Sequence, residues 1–131
     1  MTLEELSKLD DAELNRLAAE KVMGWVFREE VCQDHPYQGE TLRNWIDRGG
    51  KCQSAAADWS PALDRVQSGW LLTAMVGQGQ GAEFEVCFRN WQRVVAFLPD
   101  GKVRAVPGIS PRSETIAALL VAFAMEGKGD A

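Results

Sequence analysis

The chain has 131 residues, 46% of them apolar and 25% charged, with a formal net charge of -5 at pH 7. This length fits one domain and this composition a folded chain, so two independent cores and whole-chain disorder are both excluded. The acidic balance excludes the basic footprint of an extended nucleic-acid binder and gives no attraction to anionic lipid.

No apolar run approaches a membrane span. Met1, Thr2, Leu3, Glu4 and Glu5 form an acidic start with no apolar signal core, so a cytoplasmic protein is expected. Three cysteines, Cys32, Cys52 and Cys87, agree with a reducing compartment, since an odd count cannot pair fully within one chain. Cys32 and Cys52 could bridge the loop between them under oxidation, but reduced thiols are the expected state.

In chain order, Thr2 with Glu5 and Asp10 with Glu13 have the spacing of helix-capping boxes. Leu14, Leu17, Ala18 and Val22 recur at helical spacing, with Glu13, Asn15, Arg16 and Glu20 largely on the other side. The helix should end near Gly24 and deliver Trp25, Val26 and Phe27 to the core edge. Residues 28–58 hold Pro36, Gly49 and Gly50 without a sustained period. They are expected to form a long irregular loop, with at most a short strand or helical turn around Leu42 to Ile46; such loops are often functional.

Ser60 and Pro61 resemble an N-cap followed by proline at the first helical position, with Leu63, Val66, Trp70 and Thr73 on the buried face. That helix should stop before residues 77–81. Phe84, Val86 and Phe88 alternate with polar partners as a half-buried strand does. Gln92 to Leu98 follows as a second strand. Pro99, Asp100, Gly101 and Lys102 make a hairpin turn, and Val103 to Val106 returns as the third strand. Ser110 and Pro111 start a heavily buried last helix that ends by Gly127. One α+β domain over residues 1–131 is expected: a three-stranded antiparallel meander packed with helices as an α-β-α sandwich.

Residues 14–25, LNRLAAEKVMGW, resemble the opening "L-x-x-x-x-A-E-K-V-M-G-W" of the phage ABA sandwich domain family. Residues 58–66 are similar to that family's second helix, and residues 113–124 to its final alanine-rich helix. The resemblance covers most of the chain outside 28–55. It implies a bacteriophage or prophage setting and an α-β-α layered fold, and carries no catalytic motif.

Candidate sites are weighed on their chemistry. Cys32 and His35 have a C-x-x-H spacing, but zinc usually takes two close pairs and the second is missing, so no metal is expected. His35, the only histidine, precedes Pro36 in a loop and is not placed beside Cys87, so no Cys-His dyad is expected. Gly77, Gly79 and Gly81 lack the Lys-Ser/Thr ending of a phosphate loop and lead into a strand. They make a helix-to-strand connection, with a mobile lid as the alternative. Asp10, Asp11, Glu29 and Glu30 are explained by capping and solvation, while Asp47 and Asp58 flank the irregular stretch unpaired.

Five tryptophans are more than a core of this size requires. Trp25 and Trp70 are expected in the core. Trp45, Trp59 and Trp91 fall near loops or edges, with Arg43, Arg48, Arg89, Arg93 and Arg104 near them in sequence. Rings that stack a base and guanidinium groups that fork onto phosphate would make a nucleotide pocket. Taken singly, each is more simply a partly exposed core edge or a solvated arginine.

The expectation is therefore a phage accessory binding protein without catalytic activity or cofactor, acting in the cytoplasm of an infected bacterium. It would sequester a small nucleotide-like host signal in a pocket between the subunits of a homo-oligomer. The alternative is a protein-interaction module that inhibits or redirects a host protein, since Trp and Arg dominate interface hot spots. An enzyme using the carboxylates or Cys32 is a third option.

Overall fold

The chain opens on two capped helical segments. Helix α1 (Leu3–Ser7) is held by a reciprocal box: the Glu5 amide donates to Thr2 Oγ1 and the Thr2 amide to Glu5 Oε1, both at 3.2 Å. Helix α2 (Asp11–Leu17) is capped by Asp10, which accepts from the Glu13 amide at 2.8 Å. It runs on into a π-helical turn (Ala18–Val22). Gly24 then takes φ +72°, and the Trp25 amide reaches across it to the Ala19 carbonyl at 2.9 Å. A left-handed residue is what lets the last carbonyls of a helix be satisfied. Both starts and this end fall where the sequence puts them.

The structure is a computed structural model that describes residues 1–33, 35–36, 38–77, 83–87, 92–98 and 100–129. Among these, no helix is long and apolar enough to cross a membrane.

The stretch 28–58 departs most from expectation. It is an antiparallel meander in strand order β1-β2-β3: β1 (Val26–Val31), β2 (Thr41–Ile46) and β3 (Cys52–Ala55), followed by a 3₁₀ turn (Ala56–Asp58). Only the strand at Leu42 to Ile46 was anticipated. All six residues of β1 are exposed, so the strand carries no apolar–polar alternation to betray it. The turn between β2 and β3 has its own logic. The Gly50 amide bonds the Asp47 carbonyl at 3.0 Å, and Gly50 sits at φ +83°, the geometry of a three-residue hairpin loop ending in a left-handed residue.

The second helix also starts later than predicted. Ser60 and Pro61 lie in a turn, where the Leu63 and Asp64 amides bond the Ser60 carbonyl at 3.0 and 2.9 Å. Helix α3 (Arg65–Gly77) is capped instead by Asp64 Oδ1, which accepts from the Val66 and Gln67 amides at 2.8 and 3.1 Å. Its orientation is a correction too. Ser68, Leu71 and Met75 are buried, while Leu63 (68% exposed), Val66 (64%) and Trp70 (52%) face outward. The outer row is as apolar as the inner one, so periodicity could not choose between them.

The expected second meander is present. Strands β4 (Glu83–Cys87), β5 (Arg93–Phe97) and β6 (Val103–Pro107) pair antiparallel in that order. Gly101 at φ +86°, with its amide on the Leu98 carbonyl at 3.0 Å, repeats the turn design of the first sheet. The predicted strand position of Phe88 lies outside the described residues. Helix α4 (Pro111–Gly129) starts as predicted, with Ser110 Oγ accepting from the Ser113 amide at 3.1 Å; it runs two residues beyond Gly127.

The architecture is α+β. Helix α4 packs on β5, β6, α3, α1, α2 and the π turn, and residues 113–122 are all buried. A helix apolar on every side requires such enclosure. Arg112 fastens it to the start of the chain, donating to Asp11 Oδ1 at 2.7 Å and to the Leu9 and Ser7 carbonyls at 2.5 and 3.1 Å.

The two faces of α3 give a direct test by urea unfolding. Leu71→Ala should cost about 2–5 kcal/mol. Val66→Ala should change stability by no more than about 0.5 kcal/mol, the range for surface sites. Equal losses would mean that α3 is turned the other way.

Candidate functional site

The chemistry-bearing feature is a groove between α2 and the first sheet. Its construction begins with Asn15, on the polar side of α2 between Glu13 and Arg16. The Asn15 carbonyl accepts from Trp59 Nε1 at 2.8 Å, and Asn15 Oδ1 accepts from the Ala62 amide at 2.9 Å. Gln67 ties the same segment down from α3, accepting from the Ser60 amide at 2.6 Å and donating to the Asp58 carbonyl at 2.7 Å. The turn after the first sheet is thereby fixed to α2, and Trp59 is pressed into the core at 3% exposure.

Trp59 then organises its aromatic neighbours. Trp25 meets it edge-to-face with ring centroids 4.7 Å apart. On the sheet, Phe27 and Trp45 are directly opposed in register and meet edge-to-face at 5.5 Å. Such pairs contribute about 0.5–1.5 kcal/mol each beyond the area they bury. Trp45 is 5% exposed, whereas Phe27 is 43% exposed. Between these rings and α2 lies a largely apolar groove of about 450 Å³, lined by Phe27, Trp45, Trp59, Ala56 and Ala12, with Asn15, Arg16 and Glu20 at its rim.

The rim is electrostatically self-contained. Arg16 pairs with Glu20 at 2.8 Å and also with Glu13. The Glu13 hydrogen bond, reinforced by Glu20, raises the Arg16 pKa; the same contact holds the Glu13 carboxyl below its ordinary value. Two carboxylates against one guanidinium leave the rim slightly negative.

The predicted site residues are dispersed. Trp45 and Trp59 come together, as buried walls of the groove. Arg43 lies two residues from Trp45 on the same face of β2, paired with Glu29 at 3.0 Å. Arg48 lies elsewhere, along Gly24 at the end of the π turn, where a Cβ on Gly24 would stand 3.5 Å from its Nε. A cation suits the negative end of a helix. That spot is a separate polar hollow of about 460 Å³, lined by Glu20, Lys21 and Arg48 among others. Arg93 and Arg104 are exposed on the second sheet, and Arg89 and Trp91 lie outside the described residues. Trp70, expected in the core, is half-exposed on α3.

Asn15, Arg16 and Phe27 escaped the sequence reading as site residues. Asn15 sits among Glu13, Arg16 and Glu20 on the polar side of its helix, so nothing in the sequence set it apart. Cys32 follows β1 at the Thr41 end of β2, and Cys52 pairs with Ile46 at the other end. About 20 Å of strand separates them, well beyond disulfide reach. Among the described residues, no three His, Cys, Asp or Glu side chains gather as a metal site would require. Asp47 serves the hairpin turn. Its carboxylate accepts from the Gly49 and Lys51 amides, both at 2.9 Å, and from Gln53 Nε2 at 2.6 Å.

No protein-family model, curated protein or solved structure matches the chain.

Two outcomes follow from this geometry. Trp59→Phe keeps a ring but leaves the Asn15 carbonyl without its donor, and should cost about 1–3 kcal/mol in chemical denaturation. The Lys51 amide, then Gln53 and the Gly49 amide, hold the Asp47 pKa below its ordinary value. A carboxyl depressed in the folded state stabilises it above the unfolded pKa, and that contribution is lost as pH falls through the folded one. Asp47→Asn should therefore be less stable than the parent at pH 7, with the gap closing as pH falls below about 4. A gap that stays constant down to about pH 2 would show that the charge on Asp47 contributes nothing.

Proposed function

We propose that this chain is a binding protein that performs no chemistry of its own, and that its aromatic groove takes the flat ring of a small host nucleotide, which the protein sequesters. The observation that supports this most directly is Phe27, an exposed ring held edge-on to buried Trp45 at the mouth of a largely apolar groove. Small-molecule sites are typically hollows of about 300–1,000 Å³ with mainly apolar walls and a few orienting polar groups. Asn15 is the polar group at hand on the α2 side.

The charges give the ligand a direction. The carboxylate-rich rim of Glu13, Arg16 and Glu20 repels phosphate, while Arg43 lies along the same sheet face beyond Trp45. The base sits toward α2 and the phosphate toward Arg43, which exchanges Glu29 for it. The resemblance of residues 14–25 to the phage ABA sandwich family supports a setting in the cytoplasm of an infected bacterium.

The test is to express the protein in bacteria with an active nucleotide-signalling defence, purify it, denature it and analyse what is released by mass spectrometry. A stoichiometric nucleotide is expected. Phe27→Ala should weaken its binding by about 5–150-fold, the worth of one stacked base. Arg43→Ala should weaken the nucleotide but not the corresponding nucleoside. A folded protein that releases nothing and binds no nucleotide at micromolar concentration would end this reading.

A second reading rests on a separate observation: Val66 and Trp70 are exposed on α3, and Leu63 is exposed in the turn just before it. A host protein bound there would use Trp70 as its anchor. Its capture should then be lost in Trp70→Ala, with nucleotide binding unchanged.

A further inference from the structure

We infer that two copies of the chain pair through β1, running antiparallel about a twofold axis at Glu29, so that the two first sheets join into one six-stranded sheet. Among the described residues, strand β1 is an edge: it bonds β2 on one side, and all six of its residues are exposed. An uncovered edge presents a row of backbone donors and acceptors to any strand that fits it.

The backbone fixes which residues face outward. The Cys32 amide donates to the Glu40 carbonyl at 2.8 Å, on the β2 side. By the two-residue alternation of an antiparallel strand, Glu30, Arg28 and Val26 bond toward β2, and Val31, Glu29 and Phe27 present their amides and carbonyls outward. In agreement, the Val31 carbonyl accepts a long 3.4 Å bond from Gln33 Nε2. A second strand would replace that contact.

Side chains then choose the register. With Glu29 opposite its own copy, Phe27 faces Val31 of the second copy, an aromatic–β-branched pair of the kind that stabilises sheets. Arg28 faces Glu30 of the second copy, an opposite-charge pair. The symmetry makes each pair twice, and the outward backbone groups supply about six hydrogen bonds. The two Glu29 carboxylates meet near the axis, but each is held by its own Arg43 at 3.0 Å. Shifting the twofold to Arg28 sets Arg28 against Arg28 and Phe27 against Glu29. Shifting it to Glu30 sets Glu30 against Glu30 and Glu29 against Val31. Only the Glu29 register matches charge and apolar surface together, and for a protein of net charge -5 this local match offsets the repulsion between two copies. Two copies joined this way place both aromatic grooves on the same face of one sheet. This pairing is that of the ligand-free protein, in which Arg43 stays on Glu29, and it does not require that the groove bind a ring.

Analytical ultracentrifugation of the full chain is the test, with circular dichroism to confirm folding. The parent protein should dimerise at micromolar concentration. Arg28→Glu and Glu30→Arg each turn both charged pairs into like-charge pairs, and should weaken the dimer by at least about tenfold, a step of about 1.4 kcal/mol. The double variant Arg28→Glu/Glu30→Arg restores both pairs with reversed sign and should recover dimerisation, which a merely destabilised β1 would not do. Glu29→Pro removes an outward amide and should give a monomer. A parent protein that stays monomeric at roughly 100-fold higher concentration, a span of about 2.7 kcal/mol, overturns the inference. So does a dimer that Arg28→Glu leaves unchanged, or a double variant no better than its parents.

Discussion

The enclosure of α4 is the constraint on which the rest of the structure depends. Ten consecutive residues, 113–122, are buried, so the helix must be surrounded, and the other elements are disposed to do that. The second sheet lies against it through β5 and β6, α3 lies along it, and α1, α2 and the π turn close over it. Its alanines, Ala117, Ala118 and Ala122, let these neighbours approach closely. The polar groups this buries near its start are answered locally. Glu114 accepts from Ser68 at 2.8 Å and lies 3.5 Å from Arg65, Thr115 donates to the Pro111 carbonyl at 2.8 Å, and Ser113 donates to the Pro107 carbonyl at 2.9 Å. Gly108 just before the helix holds φ +88°, and a Cβ there would press on Ser113 Oγ at 3.1 Å. A carboxylate in the first helical turn is also where the helix dipole favours one.

The first sheet is held quite differently. Its core contribution rests largely on Trp45, Ile46 and, just beyond it, Trp59, while β1 stands exposed. The aromatic pairs and the Asn15 and Gln67 bonds fasten it to α2 and α3 along one seam. The groove follows from this arrangement: a sheet joined to a helix along only part of its face leaves an apolar recess beside the join. An element held by few buried contacts is also the part of a fold expected to open first. A ligand in the recess or a second copy on β1 would stabilise it by adding contacts that the chain lacks alone.

Much of the helical framework was legible in the sequence, because its signals are local. Thr2 with Glu5, Asp10 before its helix, Gly24 after it and Ser110 before Pro111 each satisfy backbone groups within a few residues. The bonds of Leu98 with Gly101 and Lys102 are local in the same sense. The second sheet was visible because Phe84, Val86 and Phe88 alternate with polar residues in the sequence, the two-residue period of a strand. The first sheet was hidden for the opposite reason: β1 buries neither face, so selection for a core leaves no period there. Ser60 and Pro61 misled because a proline turn and a helix start use the same residues, and only Asp64 accepting from the Val66 and Gln67 amides separates them.

The sequence by itself therefore determined the fold class, the ends of the N-terminal helices, the second meander and the buried character of α4. Tertiary structure alone decided which apolar face of α3 turns inward, since both rows are equally greasy and only the position of α4 breaks the tie. It alone decided that Trp45 and Trp59 wall one groove while Arg48, Arg93 and Arg104 stand elsewhere. Neighbourhood in sequence says little about neighbourhood in space once a chain has folded back through two sheets. Phe27 and Trp45, the pair at the mouth of the groove, are 18 residues apart and meet because the pairing of β1 with β2 sets them opposite one another.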